Sequence, residues 1–291
     1  NHHWIATSQD GIHFTTVAAI TTKGLRTDAG LPSWSDMALN PKDGYWYALF
    51  NLPYRASSST GDVGESGQPG FQLYRIRQDD LATGSVGWEE MVTIDTHLTG
   101  YESNFLPALL QDGMGRVFQD ANGGLQFFVS FSNVKLTWDR APKDAAKDAV
   151  GLNWDINKAT WSPKDPVQST LNRYTNGSLH RVTTGPVDLG EFTLEKALGQ
   201  VYRRPMGQAT VALFDCKADA KNAFASLDAA CEGSYFAGLN GYIYAEAPAG
   251  VSVVPLYRCA SGQDGFLSND PHCEGASTTA LLGYALAPPS K

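Results

Sequence analysis

Two stretches in the C-terminal third of the chain are near copies of each other: LFDC at Leu213–Cys216 and LYRC at Leu256–Cys259. The likeness continues in order through FASLD and FLSND, then through CEG in both copies, to LNGY and LLGY at the close. The offset between the copies is 43 residues at Leu213 and 42 residues at Gly241, so one insertion aligns them. A shared order of this length predicts a structural repeat.

A fainter copy without cysteine precedes these two. Leu179–Arg181 matches the opening of the two later copies, and LGQVY at Leu198–Tyr202 matches their close. Each copy is β-rich, begins and ends on an apolar run, and is too small to bury its own apolar face. Three copies of about 40 residues therefore predict a β-trefoil over residues 178–291.

The middle of each copy gives a conflicting local signal. Lys217–Ala230 is rich in alanine and compatible with a helix, whereas its counterpart Ala260–His272 contains glycine and proline. Because repeats share a structure, we expect loops in both. The polar residues that recur there have two open interpretations, as ligand groups or as caps of turns. They are Ser226, Asp228, Glu232, Ser268, Asp270 and Glu274.

The four cysteines fall one pair to a repeat: Cys216 with Cys231, and Cys259 with Cys273. A zinc site would more often show a close C-x2–4-C pair, so we predict two disulfides, one within each repeat. The acceptor triplet NGS at Asn176–Ser178 also favours an oxidising compartment, and we expect a secreted protein. Four reduced, buried thiols remain the alternative.

Composition excludes several classes of protein. The chain has 291 residues, with 22 Lys and Arg against 30 Asp and Glu, and its net charge is −8. An acidic chain without a basic run is a poor match for nucleic acid, and no apolar run reaches the ~18 residues of a membrane span. Phosphate-loop, dinucleotide and H-E-x-x-H motifs are missing from the sequence, so we expect no cofactor and no metal site. The first residue is Asn1, and we expect a processed form or a fragment.

Residues 1–175 contain short β runs separated by turn residues. Asp-Gly pairs at Asp10–Gly11, Asp43–Gly44 and Asp112–Gly113 lie between apolar or aromatic runs. Both residue types tolerate positive φ, which makes such pairs a hairpin signal. Four-strand units of this size predict an all-β, propeller-like domain that precedes the trefoil.

Two resemblances extend this prediction. The cysteine motif resembles a small repeat module at the C-termini of secreted bacterial proteins, and trefoils in that position are often carbohydrate-binding. The SQDGIHF hairpin at Ser8–Phe14, and SWSDMA at Ser33–Ala38 before the hairpin DGYWY, resemble blades of five-bladed glycoside hydrolases acting on furanosides. Five blades need more than about 175 residues, so three alternatives are open: a missing N-terminal segment, a second chain that completes the propeller, or a smaller β assembly.

The resemblance implies inner-strand carboxylates that face a central funnel. Glycoside hydrolysis needs two carboxyl groups across the scissile bond, one of them protonated near neutral pH. The candidates are Asp36, Glu102 and Asp155, each with the alternative of a carboxylate that caps a strand end.

The ligand predicted for the protein is a polysaccharide or other glycan. The candidate substrate-binding residues are Trp34, Trp46, Tyr101 and Asn104. The leading hypothesis is a secreted glycoside hydrolase with a glycan-binding trefoil. The alternatives are a non-catalytic lectin, in which the aromatic rings only stack on sugar, and an extracellular adhesion or structural protein.

Overall fold

The computed structural model describes residues 4–26, 33–52, 70–99, 104–132, 154–162, 167–185, 187, 191–207, 209–218, 222–262 and 264–288. Within the strands at 33–35, 104–106, 127–132 and 154–159, the backbone alone is described.

The N-terminal part is built from antiparallel strands and two single-turn helices. The helices are α1 (Asp80–Thr83) and α2 (Thr96–Thr99). The strands are β1 (Trp4–Thr7), β2 (Thr15–Ala19), β3 (Ser33–Asn40), β4 (Tyr45–Asn51), β5 (Gly70–Arg77), β6 (Glu89–Asp95), β7 (Asn104–Leu109), β8 (Leu125–Ser132) and β9 (Trp154–Trp161). They form a hairpin β1-β2, a four-stranded sheet in the order β3-β4-β5-β6, and a three-stranded sheet in the order β7-β8-β9.

The four-stranded sheet is buried on both faces. Alternate residues of a strand point to opposite faces, and in β4 the side chains of Leu49 and Phe50 enter two different apolar clusters. On one face Leu125 and Trp161 of the three-stranded sheet join the cluster of Leu49. On the other face Ile5 of the hairpin packs against the cluster of Phe50. The two larger sheets therefore pack face to face, as the blade prediction requires, while the hairpin reaches the other face through Ile5. The propeller itself stays a prediction.

The C-terminal part repeats one three-stranded unit three times. Its strands are β10 (Gln168–Thr175), β11 (His180–Thr183), β12 (Thr193–Tyr202), β13 (Thr210–Lys217), β14 (Ala223–Ser226), β15 (Tyr235–Tyr244), β16 (Val253–Ser261), β17 (Asp264–Ser268) and β18 (Ser277–Leu286). In each unit the first strand pairs with both the second and the third strand.

The three units are arranged around a pseudo-threefold axis. Their third strands, β12, β15 and β18, bridge one another in a cycle: Tyr202 to Tyr242, Tyr244 to Tyr284, and Leu286 to Gln200. Their second strands, β11, β14 and β17, also contact one another. The first strands each direct one leucine, Leu171, Leu213 or Leu256, into a shared apolar core. The cycle provides the closure that a trefoil needs, while the trefoil itself stays a prediction.

Glycine is required where the third strands meet. Gly199, Gly241 and Gly283 have φ of +150°, +138° and +148°, a region that other residues rarely adopt. A Cβ atom on Gly199 would lie 2.7 Å from the carbonyl oxygen of Leu286, and one on Gly241 would lie 2.6 Å from that of Tyr202. Any side chain here would separate the strands.

The predicted disulfides are confirmed. Cys216 is bonded to Cys231 and Cys259 to Cys273, with Cα–Cα distances of 5.5 and 5.6 Å. The second cysteine of each pair begins a single 3-10 turn, at Cys231–Gly233 and Cys273–Gly275.

Two details of the repeat prediction are corrected. Leu179–Arg181 does not match the opening of the other copies, because His180 and Arg181 lie in β11, the second strand. The opening position belongs to Leu171, which pairs with Gly199 as Leu213 pairs with Gly241. The first repeat therefore begins with β10, upstream of residue 178.

The expected loops are also corrected in part. The alanine-rich segment forms no helix among its described residues, as the repeat predicted, but it contains the short strand β14, and its counterpart contains β17. Pairing with β13 and β16 selects the strands over local propensity. The all-β class is confirmed across the described part of the chain.

Substitution of the axial glycine in the middle repeat tests the threefold closure. We expect Gly241→Ala to lower the free energy of unfolding by at least about 2 kcal/mol, since it adds both a strained φ and a backbone clash. Gly250→Ala is the matched control, because Gly250 also has positive φ (+75°) but no atom within 4 Å of an added Cβ. If urea unfolding shows equal losses of unfolding free energy for the two variants, the close approach of the strands at Gly241 has no role in closure.

Candidate functional site

Asp36 joins the two N-terminal sheets instead of presenting a free carboxylate. Its Oδ2 accepts a hydrogen bond from the backbone N–H of Leu109 (2.7 Å), and its Oδ1 accepts one from the N–H of Met37 (2.8 Å). The side-chain amide of Gln111 donates to both oxygens at 3.1 and 3.2 Å. Every described partner is a donor, so both carboxyl oxygens of Asp36 act as acceptors.

The other predicted site residues are placed only in part. Glu102 and Tyr101 lie outside the described residues. Asp155 is in β9, at the far edge of its sheet, two strands away from the β7 strand that contacts β3. The indole of Trp46 packs against the apolar cluster between the hairpin and the four-stranded sheet. Trp34 and Asn104 lie in β3 and β7 with only their backbones described.

A buried polar cluster connects the N-terminal part to the threefold module. Both nitrogens of the His97 ring face acceptor oxygens: Nε2 is 3.1 Å from Asp215 Oδ2, and Nδ1 is 3.1 Å from the carbonyl oxygen of Leu239. Asp95 accepts hydrogen bonds from the backbone N–H groups of His97 and Leu239. Gly185 and Gly238 flank the ring so closely that a Cβ on either would overlap it.

A second polar contact lies beside the first. Arg26 Nη2 donates to Tyr242 Oη at 2.6 Å, and Tyr242 Oη donates to the Glu90 carboxylate at 2.7 Å. Burial, and then the negative charge of Glu90, raise the pKa of Tyr242 well above its usual value, so this phenol remains a donor. Two polar contacts of this kind fix the orientation of the N-terminal part on the module.

The charge state of the first contact follows from its surroundings. Burial lowers the pKa of His97, but the hydrogen bond to Asp215 and the charge of Asp95 outweigh it, so the pKa of His97 is raised. Burial raises the pKa of Asp95, against the opposing effect of His97. The contact therefore favours a protonated imidazole between two carboxyl groups.

Ion pairs link neighbouring repeats around the threefold axis. Each arginine involved lies two residues after the core leucine of its first strand. Arg173 of the first repeat binds Glu274 of the third, and Arg258 of the third binds Glu232 of the second. Each arginine also covers the phenylalanine of the preceding repeat, with Arg258 4.7 Å from the ring centre of Phe224. The middle repeat carries Asp215 at this position, and there the partner is His97.

The glutamates are held in place by the turns that the disulfides close. Glu232 and Glu274 have φ of +54° and +56°, a left-handed conformation that costs about 1–2 kcal/mol for residues with a Cβ. Asp228 caps its turn through hydrogen bonds from Ala230 N and Glu232 N, and Ser226 Oγ donates to Glu232. These polar residues cap turns, and the same contacts recur around Glu274.

A groove of about 430 Å³ lies between the hairpins β13-β14 and β16-β17. The residues that line it include Phe224, Asn222, Arg258, Thr279 and Asp264. Asp264 accepts hydrogen bonds from the N–H and the ring of His180, at 2.9 and 2.6 Å. The groove therefore combines an apolar ring with a guanidinium, an amide and a hydroxyl group.

Sequence reasoning missed both the groove and the His97 contact. A signal for the groove was present, because Arg258 and Phe224 occur at fixed places in the repeat. No local signal marks His97, since its partner Asp215 is 118 residues away.

The known proteins give no parallel for this chain: no family model, curated protein or solved structure matches it. Within the described ranges, no cluster of three His, Cys, Asp or Glu side chains could hold a metal ion. No described helix is long and apolar enough to span a membrane.

Protonation of His97 makes stability depend on pH. A raised folded-state pKa contributes stability that is complete below the usual value of 6.5 and is lost as pH rises through the folded-state pKa. The raised pKa of Asp95 has the same effect: its contribution to stability is lost as pH rises from the usual pKa of 3.8 upward. We expect the Tm of the wild type to fall with rising pH above 6.5, and that fall to be smaller in His97→Gln. His13→Gln, at an exposed ring, should follow the wild type, and parallel curves for all three proteins would contradict the assignment.

Replacing Asp36 by asparagine tests its role in joining the sheets. Asparagine offers one carbonyl oxygen, so one of the N–H groups of Leu109 and Met37 would face an amide NH₂. We expect Asp36→Asn to lower the free energy of unfolding by about 1–3 kcal/mol. Asp79→Asn serves as control, because the Asp79 side chain makes no capping hydrogen bond. Unchanged stability of Asp36→Asn would leave the carboxylate available for another role.

Proposed function

We propose that this protein is an extracellular, non-catalytic glycan-binding protein whose threefold module holds sugar in the groove between its second and third repeats. The observation that carries the proposal is the groove lining, where the ring of Phe224 and the guanidinium of Arg258 lie together. A site of this kind pairs apolar surface with a few polar groups that fix orientation.

The chemistry of sugars matches this lining. A pyranose ring presents C–H groups on one face, which pack against an aromatic ring, and hydroxyl groups at its edge, which need donors and acceptors. Arg258 supplies N–H donors beside the Phe224 ring. The hydroxyl of Thr279, which donates to the carbonyl oxygen of Arg258, supplies an acceptor. The groove volume is within the ~300–1,000 Å³ of small-ligand sites.

The contacts of Asp36 support binding over hydrolysis. A general acid or base must exchange a proton with its substrate, whereas both oxygens of Asp36 accept hydrogen bonds from protein N–H groups. Hydrolysis by Asp36, Glu102 and Asp155 stays a prediction that a test of sugar release decides.

The two disulfides support an extracellular location. Such bonds persist in oxidising compartments and are rare in the cytosol of mesophiles. The acceptor triplet at Asn176–Ser178 lies in the exposed turn between β10 and β11.

Binding to a glycan array, followed by calorimetry on the strongest hit, tests the proposal. We expect Phe224→Ala to weaken that binding about tenfold or more, because it removes the stacking surface. Phe118→Ala is the control, since Phe118 is 47% exposed and lies in the N-terminal part. Failure of the wild type to bind any glycan would refute the proposal. Release of reducing sugar by the wild type, lost in Asp36→Asn, would favour the hydrolase.

A further inference from the structure

The first and third repeats surround their equivalent arginines differently. Arg173 is 1% exposed and donates through Nε, Nη1 and Nη2 to Glu195, Glu274 and the carbonyl oxygen of Leu267. Arg258 is 26% exposed, and within the described part of the chain its guanidinium makes one hydrogen bond, from Nη1 to Glu232.

The strand register shows why the two arginines differ. Glu195 occupies the bulge of β12, between the partners of Arg173 and Tyr174. The bulge at the same place in β18 holds Thr279, between the partners of Arg258 and Cys259. A carboxylate in the first repeat is thus replaced by a hydroxyl in the third, and Thr279 lines the groove.

In the first repeat, the contact with Glu195 shows which edge of the Arg173 guanidinium a carboxylate can bind. It binds Nε at 2.8 Å and Nη2 at 2.6 Å, the two-pronged geometry typical of an arginine and a carboxylate. Glu274 takes the other edge of Arg173, as Glu232 takes Nη1 of Arg258. The fold therefore already accommodates one guanidinium between two carboxylates.

We infer that the groove recognises a carboxylate-bearing sugar, a uronic acid unit of a glycan, which binds the Nε and Nη2 edge of Arg258 as Glu195 binds that of Arg173. This inference rests on the proposed glycan-binding function. The ring of Phe224 fixes the plane of the guanidinium and adds an apolar face beside it.

Two acidic groups at the groove that the structure describes, Asp264 and Glu232, are already engaged. Asp264 accepts two hydrogen bonds from His180, and Glu232 is bound to Arg258 and Ser226. The hydrogen bond from Arg258 holds the pKa of Glu232 below its usual value, so the pair is ionised at neutral pH. A uronate would complete the arrangement seen in the first repeat.

The test compares acidic polysaccharides with the same polymers after reduction of their carboxyl groups to alcohols. Polygalacturonate, alginate and hyaluronate are titrated into the full chain by calorimetry. We expect at least one to bind, and its carboxyl-reduced form to bind about tenfold more weakly or worse, since a charge-assisted pair is lost. Polyglutamate, which has carboxylates without sugar, should not bind; equal binding of polyglutamate would overturn the sugar assignment.

Thr279→Glu supplies the missing carboxylate from the protein itself. We expect it to fold like the wild type and to lose binding of the acidic polymer about tenfold or more, because its side chain takes the ligand's place on Arg258. Ser277→Glu adds the same charge on β18 at an exposed residue outside the groove lining and should bind as the wild type does. Wild-type affinity in Thr279→Glu would overturn the inference.

The glycan-binding function and the uronate inference are contradicted by different results. If the reduced polymers bind as tightly as the acidic ones, and Phe224→Ala still weakens that binding, the glycan site stands and the uronate inference is wrong. If the array and all of these polymers give no binding, both are wrong.

Discussion

The close approach of three strands at one axis is the constraint on which the threefold module depends. Each third strand lies against the next through a glycine, and the carbonyl oxygens of neighbouring strands occupy the space of the missing Cβ atoms. This contact places the three hairpins at fixed angles to one another. The inter-repeat ion pairs and the groove all lie on surfaces that those angles create.

The symmetry is broken in one repeat, and that is where the N-terminal part attaches. Two repeats carry an arginine that binds the glutamate of a disulfide-closed turn in the preceding repeat. The middle repeat carries Asp215, the first repeat has no cysteines to close such a turn, and His97 takes the place of the partner. Among the described residues, a reversed charge at one of three equivalent positions thus coincides with the place where the N-terminal part contacts the module.

The sequence was sufficient for features that recur or are local. Two cysteine-bearing copies in register predicted both disulfides, and Asp-Gly pairs between apolar runs predicted an all-β chain. The first repeat was misaligned because it has no cysteines, and its leucine at position 171 has no local signature. The blade resemblance predicts a catalytic role for Asp36, yet its partners Leu109 and Gln111, which no local pattern connects with it, are more than 70 residues away. Contacts over such separations depend on topology, which residue patterns do not encode.

The pair of Arg173 and Glu274 joins the first strand of the module to the last turn, 101 residues further along. A newly made chain can form the first two hairpins early, but this bond must wait until the third repeat has left the ribosome. Until then Arg173 has the carboxylate of Glu195, in its own repeat, as its ion-pair partner, and the edge that binds Glu274 stays in water. Closure of the module therefore follows synthesis of its third repeat, and a chain that stops before this turn stays open at the seam between its first and third repeats.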